Sequence, residues 1–102
     1  MDLHLREHVI VITGGGTGIG KAAALEFARE GATVCILGRR ELALQQACDE
    51  ARREGLALYM YPADATDPQA LQAVAESIVE RFHTIDVWIN NAGTLLIRPM
   101  LD

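Results

Sequence analysis

One stretch near the start of the chain constrains its fold more than any other. The segment reads VIVITGGGTGIG over residues 9–20, and the run KAAALEFARE follows it. The β-branched apolar residues favour a buried strand, and the alanine-rich run favours a helix. The glycine-rich turn between them brings backbone N–H groups and a helix N-terminus to one point, which is typical of a phosphate-binding site.

The composition excludes several classes of function. The chain has 102 residues, a net charge of −5 and 50% hydrophobic residues, which suits one small domain with a modest core. The negative charge argues against a nucleic acid or a membrane surface as partner. Cys35 and Cys48 predict no disulfide framework, and no apolar run is long enough for a membrane span or a signal peptide. We therefore expect a soluble, cytoplasmic protein.

Strands and helices alternate along the chain. Apolar runs predict strands at 8–13, 33–37, 56–61 and 85–89, and periodic apolar residues predict helices at 19–30, at 40–54 and after 66–68. This order predicts an α/β fold with a parallel sheet and right-handed crossovers. Ligands of such sheets bind beyond the carboxyl ends of the strands.

Apolar stripes predict which helix faces pack on the sheet. The first helix carries Ile19, Ala23 and Phe27 on one stripe. The stripe of the second helix consists of Leu44, Ala47, Cys48 and Ala51. The third helix has the longest stripe, made of Leu71, Val74, Ala75, Ile78, Val79 and Phe82. We expect these residues to form the core together with the strands.

Two kinds of phosphate site compete at the glycine turn. Gly15, Gly20 and Lys21 match the start of a P-loop, G-x4-G-K. However, Ala22 stands where that motif needs a Ser or Thr to hold Mg²⁺. The alternative is dinucleotide binding, although the glycine spacing is G-x3-G-x-G instead of the usual G-x-G-x-x-G. The missing hydroxyl favours the dinucleotide.

Three motifs, in sequence order, resemble those of the short-chain dehydrogenase/reductase family. They are TGGGTGIG at 13–20, Asp64-Ala65 and NNAG at 90–93, and they extend over nearly the whole chain. The resemblance implies a Rossmann-like, doubly wound parallel sheet with four strands in the order 3-2-1-4 and three helices, which binds NAD(H) or NADP(H). It also implies a set of cofactor-binding residues: Gly14, Gly16, Thr17, Gly18, Ile19 and Gly20 in the turn that surrounds the pyrophosphate, Asp64 and Ala65 at the adenine, and Asn91, Ala92 and Gly93 at the adenosine ribose.

The end of the second strand indicates which cofactor is bound. An acidic residue there would bind the ribose hydroxyls of NAD(H), but this chain has Gly38 followed by Arg39 and Arg40. A guanidinium can bind a phosphate through two hydrogen bonds, which are worth about 1.5–3 kcal/mol. We expect both arginines to bind the cofactor and NADP(H) to be preferred over NAD(H). A solvated helix start is the alternative for this pair.

The chain lacks the catalytic residues that the resemblance implies. The family uses a Tyr-x-x-x-Lys pair and a Ser, whereas the single lysine here is Lys21 and the single serine is Ser77. Both tyrosines lie in the third predicted strand, where they are expected to pack. No catalytic residue is therefore predicted. No metal site is predicted either, since the histidines have no paired ligand spacing.

The 102 residues are expected to be the amino-terminal, NAD(P)-binding half of a reductase, truncated before its catalytic half. Two other classes stay open. One is a stand-alone dinucleotide-binding module, which a separate chain would complement, and the other is an inactive fragment. In the order 3-2-1-4 the fourth strand lies at an unpaired edge, so we expect self-association through residues 85–89.

Overall fold

Five strands and three helices make up the computed structural model, which describes residues 7–91 and, for the backbone alone, residues 94–97. Their order is β1 (Val9–Thr13), α1 (Gly18–Arg29), β2 (Thr33–Gly38), α2 (Glu41–Arg53), β3 (Leu58–Pro62), α3 (Pro68–Phe82), β4 (Val87–Asn90) and β5 (Thr94–Ile97). The first seven elements confirm the predicted alternation. None of the helices in the described ranges is long and apolar enough to cross a membrane.

The strands form one sheet in the order β3-β2-β1-β4-β5. The first four are parallel, and Ile10 of β1 lies opposite Val34 on one side and Val87 on the other. The predicted α/β class and the order 3-2-1-4 are therefore confirmed. Because these four strands are parallel, their carboxyl ends lie at the same end of the sheet, where ligands of such folds bind.

The fifth strand is not predicted by the sequence. Residues 94–97 pair antiparallel with β4, with Thr94 opposite Asn90 and Ile97 opposite Val87. A connection as short as residues 91–93 can join antiparallel strands but is too short for a parallel crossover. The expectation of an unpaired β4 edge is therefore wrong, and self-association through that edge loses its basis.

Two helices cover one face of the sheet, and one helix covers the other. α1 and α2 pack against the face that carries Ile36, whereas α3 packs Ile78 against the face that carries Leu37. This division follows from the strands, since successive side chains point to opposite faces. As a result, Cys48 of α2 is buried in one layer and Cys35 of β2 in the other, and both thiols are free.

The helices bury most of the predicted stripes. All four predicted residues of α2 are buried, which confirms its stripe. In α1 the fully buried residues are Gly20, Ala24, Leu25 and Ala28, and the predicted Ala23 and Phe27 are partly buried against the same core. Ile19 is 80% exposed and Val79 is 41% exposed, so the prediction that they are buried is wrong. Ile19 lies in the first turn of α1, beside the glycine turn, and Val79 lies beside Glu76 and Glu80 at the border of the α3 stripe.

β3 and β4 each begin two residues later than predicted, and each shift has a local reason. Gly55 has a φ of 75°, and the N–H of Leu56 donates to the carbonyl of Ala51, so these residues end α2 and β3 begins after them. The N–H of Val9 donates to Oδ2 of Asp86 at 2.7 Å, and the N–H of Asp86 donates to the carbonyl of Val9. Asp86 thus closes the start of β1, and β4 begins after it.

Candidate functional site

The turn between β1 and α1 depends on close backbone contacts. The N–H groups of Gly14 and Gly15 both donate to the carbonyl of Leu37, at 2.7 and 3.3 Å, and Gly14 has a φ of 70°. A Cβ on Gly20 would overlap the carbonyl oxygen of Gly14. The turn therefore lies directly on the end of β2 and on the first turn of α1, and a side chain at Gly20 would force them apart.

The N-terminus of α1 is open toward this turn. Its first helical hydrogen bond runs from the N–H of Lys21 to the carbonyl of Thr17, so the N–H groups of residues 18–20 have no intrahelical partner. Thr17 makes no side-chain cap hydrogen bond with the described residues, and the first turn carries no acidic side chain. In α3, by contrast, Asp67 caps two N–H groups. The α1 terminus therefore offers donors and a positive dipole end to an external anion.

Arg39 and Arg40 line a cleft beside the glycine turn. The cleft has a volume of about 110 Å³ and is lined by Gly14, Gly16, Thr17, Gly38, Arg39, Arg40, Ala43 and Leu44. A Cβ on Gly16 would lie 3.1 Å from the backbone of Ala43, so the turn and α2 are in close contact. Ala43 and Leu44 also line the cleft. The sequence pattern does not predict this contact, because the stripe of α2 does not show which residues face the glycine turn.

Asp64 follows β3 and faces Arg39. Its Oδ1 accepts hydrogen bonds from the N–H of Thr66 at 2.8 Å and from the Thr66 hydroxyl at 2.6 Å. Its Oδ2 lies 3.7 Å from a terminal guanidinium nitrogen of Arg39. The Thr66 hydroxyl, then the Thr66 N–H and the charge of Arg39 lower the pKa of Asp64, so its carboxylate is ionised at neutral pH. Ala65 is exposed beside it.

Thr13 connects the end of β1 to the end of β4. Its buried hydroxyl donates to Oδ1 of Asn90 at 3.2 Å and accepts from the N–H of Asn91 at 3.1 Å. Nδ2 of Asn91 donates to the carbonyl of Gly14 at 3.4 Å. These bonds hold the end of β4 against the glycine turn. Thr13 is not among the predicted site residues. The sequence feature that could have identified it is a threonine at the end of an apolar strand.

Most of the predicted cofactor-binding residues lie together at the carboxyl end of the sheet. The glycine turn follows β1, the two arginines follow β2, Asp64 follows β3 and Asn91 follows β4. Ile19 is exposed in the first turn of α1, beside the glycine turn. Ala92 and Gly93, which are also among the predicted cofactor-binding residues, lie outside the described residues.

Lys21 does not lie over the turn. Its Nζ is 3.0 Å from Oε2 of Glu50, which is on α2. A P-loop lysine would instead reach back to the phosphates. This position favours a dinucleotide over the nucleotide substrate of a P-loop enzyme.

Both tyrosines serve in packing, as the sequence predicts. The rings of Tyr59 and Phe82 meet edge to face with centroids 5.0 Å apart, and the guanidinium of Arg81 lies 4.7 Å from the Tyr59 centroid. Tyr61 also packs in the layer of α3. In the described ranges, no group of His, Cys, Asp and Glu side chains is placed to hold a metal ion.

Comparison with known proteins gives the site a family context. A family model described as short chain dehydrogenase matches residues 8–102. A 1-deoxy-11-beta-hydroxypentalenate dehydrogenase from Streptomyces arenae is 39% identical over 93 residues, which are 91% of this chain and 33% of that protein. L-Sorbose reductase from Gluconobacter frateurii, solved with NADPH and L-sorbose, has a TM-score of 0.82 and 36% identity over 92% of this chain and 36% of its own.

A second solved structure, an NAD⁺-bound xylitol dehydrogenase, has a TM-score of 0.77 and 32% identity over 82% of this chain and 32% of its own. One structural neighbour thus holds NADPH and another NAD⁺. The chain spans about a third of the length of the curated relatives it matches. It belongs to the short-chain dehydrogenase family and matches the dinucleotide-binding portion of these oxidoreductases.

Proposed function

We propose that this chain is the NADP(H)-binding portion of an oxidoreductase that transfers hydride between the cofactor and a CH–OH or C=O group. The observation that carries the proposal is the cleft in which Arg39 and Arg40 lie beside the glycine turn. The open N-terminus of α1 suits the pyrophosphate. The two guanidinium groups suit a 2′-phosphate, which NADP(H) has and NAD(H) lacks.

The remaining residues of the proposed site hold the adenosine. Oδ2 of Asp64 is a suitable acceptor for the adenine amine, and the backbone at Ala65 lies beside it. Asn91, with Ala92 and Gly93 after it, would contact the ribose. Within the turn, the residues proposed to bind the cofactor are Gly14, Gly16, Thr17, Gly18, Ile19 and Gly20.

Titration of the purified chain with NADPH and NADH tests the choice of cofactor. We expect tighter binding of NADPH, and Arg39→Ala should weaken NADPH binding about tenfold or more while NADH binding is unchanged, since one charged hydrogen-bonding partner is lost. Arg53→Ala is the matched control, because Arg53 lies exposed in the last turn of α2. NADH affinity equal to or above that of NADPH would contradict the proposal.

The second part of the proposal concerns catalysis. Residues 1–102 form a cofactor-binding domain that carries no catalytic groups of its own. Ser77 lies on α3, both tyrosines pack on β3, and Lys21 pairs with Glu50. We expect the chain to bind NADPH but not to oxidise it with a panel of ketones and aldehydes, followed by NADPH absorbance. NADPH turnover would refute this part. Failure of a folded chain to bind NADPH would favour an inactive fragment.

A cytoplasmic location is part of the proposal. Cys35 and Cys48 are buried and unpaired, which fits a reducing compartment. Cell fractionation with detection of the chain in the cytoplasmic fraction is the test.

A further inference from the structure

The ion pair between Arg39 and Asp64 joins two residues that the proposed function uses separately. Arg39 extends from the end of β2, and Asp64 extends from the loop after β3. Their closest nitrogen and oxygen atoms are 3.7 Å apart, which is longer than a hydrogen bond. The Arg39 side chain is 71% exposed and the Asp64 side chain is 41% exposed. The pair is therefore loose, and its cation, Arg39, also lines the cleft beside the glycine turn.

The two partners are not equally free to move. Oδ1 of Asp64 is held by the N–H and the hydroxyl of Thr66, at 2.8 and 2.6 Å. These bonds come from its own loop and fix the carboxylate with Oδ2 toward Arg39. Arg39, whose long side chain is mostly in solvent, is the partner that would turn toward a bound phosphate.

We propose that Asp64 determines how strongly the site prefers NADP(H), because its carboxylate competes with the 2′-phosphate for Arg39. This inference rests on the proposed cofactor function. When NAD(H) is bound, no 2′-phosphate is present and Arg39 keeps the Asp64 carboxylate as its counterion. With NADP(H) bound, the guanidinium is shared between two anionic groups, which also repel each other. Asp64 therefore lowers the preference that the arginine would otherwise give.

The ratio of the NADH Kd to the NADPH Kd isolates this effect. Asp64 is also proposed to contact the adenine, but both cofactors carry the adenine, so that contact cancels in the ratio. Exposed ion pairs contribute little, so we expect a change of about two- to fivefold. Asp64→Asn is the suitable variant, because its amide oxygen still accepts from the N–H and hydroxyl of Thr66 while the negative charge is gone.

The experiment measures both dissociation constants for the wild-type chain, Asp64→Asn, Arg39→Ala and the double variant. We expect Asp64→Asn to raise the ratio about two- to fivefold and to raise it by a smaller factor when Arg39→Ala is also present, because only the direct repulsion between carboxylate and phosphate is then relieved. Asp67→Asn is the matched control, since it removes the same charge from the same loop and asparagine still caps α3. Its ratio should equal that of the wild type.

Thermal unfolding of each variant verifies that it is folded, and Asp64→Ser repeats the test if the asparagine variant is not. An unchanged or lower ratio in Asp64→Asn overturns the inference, and so does an equal rise in the Arg39→Ala background. The proposed function fails separately, on the wild-type chain alone, if NADH binds at least as tightly as NADPH. In that case the change caused by Asp64→Asn still decides whether the carboxylate competes for Arg39.

Discussion

At the scale of single residues, two glycines of the same turn are glycine for different reasons. A Cβ on Gly20 would overlap the carbonyl of Gly14 and lie 2.9 Å from Nδ2 of Asn91. Gly18 has a φ of 57°, but a Cβ there would meet no atom within 4 Å. Gly20 is therefore required by packing and Gly18 by backbone conformation. The two sites respond differently to substitution.

We expect Gly20→Ala to lower the free energy of unfolding by about 1–3 kcal/mol, because the new methyl group must displace backbone atoms. Gly18→Asn is the control, since asparagine tolerates a positive φ, and its loss should stay below about 1 kcal/mol. Urea unfolding of both variants, followed by Trp88 fluorescence, measures the difference. Equal losses in the two variants would show that packing at Gly20 is not the cause.

The buried hydroxyl of Thr13 gives a second prediction. Thr13→Val keeps the shape of the side chain but removes the hydrogen bonds to Asn90 and Asn91. We expect a loss of about 1–3 kcal/mol in the free energy of unfolding, because the N–H of Asn91 loses its partner. Thr13→Ser keeps the hydroxyl and should lose less. If the serine variant is the less stable of the two in urea unfolding, the methyl group matters more than the hydrogen bonds.

At the scale of elements, charged pairs connect the two helices that share one face of the sheet. Lys21 pairs with Glu50 near the site, and at the far end both terminal oxygens of Glu54 accept from Arg29 at 2.8 Å. The hydrogen bonds from Arg29 lower the pKa of Glu54. The pairs lie at the surface, so each contributes modestly to the free energy of unfolding.

The lowered pKa of Glu54 sets the sign of a pH dependence. Its carboxylate stabilises the folded chain above the unfolded pKa, and this contribution is lost as the pH falls through the lower folded pKa. We therefore expect the wild type to be more stable than Glu54→Gln at about pH 7 and this difference to be smaller at about pH 3, below the unfolded pKa of a glutamate. Urea unfolding midpoints at the two pH values measure this. Glu80→Gln, exposed on α3, is the control and should show no such convergence.

Local patterns predict the elements well, and contacts between elements set the limits of prediction. The α2 stripe and the parallel α/β sheet follow from periodicity and alternation, which depend on residues close in sequence, whereas the strand order 3-2-1-4 is implied by the family resemblance. The pairing of β5 is not predicted by local patterns, because the segment TLLI is too short to show a period and its pairing partner depends on the rest of the sheet. The pair of Arg39 with Asp64 likewise depends on side-chain directions from two strand ends, which spacing alone does not give.

At the scale of the whole molecule, the proposed ligand would contact the loops after all four parallel strands. Such a ligand binds the folded chain and not the unfolded one, so it stabilises the entire sheet. The single tryptophan, Trp88, lies on β4 between Val11 of β1 and Leu96 of β5 and therefore reports on the pairing of these strands. Binding and global unfolding are therefore linked, and one fluorescence measurement follows both.

NADPH at a hundred times its Kd should raise the free energy of unfolding by about 2.7 kcal/mol. NADH at the same concentration should raise it less, because its proposed affinity is lower. In Arg39→Ala the gain from NADPH should fall toward that from NADH, with Arg40 as the remaining phosphate-binding cation. Equal stabilisation of the wild-type chain by the two cofactors in Trp88-monitored urea unfolding would contradict the proposed role of the arginine.

The two buried thiols make opening of the two helix layers separately measurable. Burial raises the pKa of Cys35 to about 12 and also raises the pKa of Cys48, so both are unreactive while the layers are closed. Cys48 lies on the buried face of α2, and Cys35 lies on the face of β2 that α3 covers. The rate at which a small reagent labels each thiol therefore measures how often that layer opens. Cys35→Ala leaves Cys48 to report on the side of α1 and α2, and Cys48→Ala leaves Cys35 to report on the side of α3.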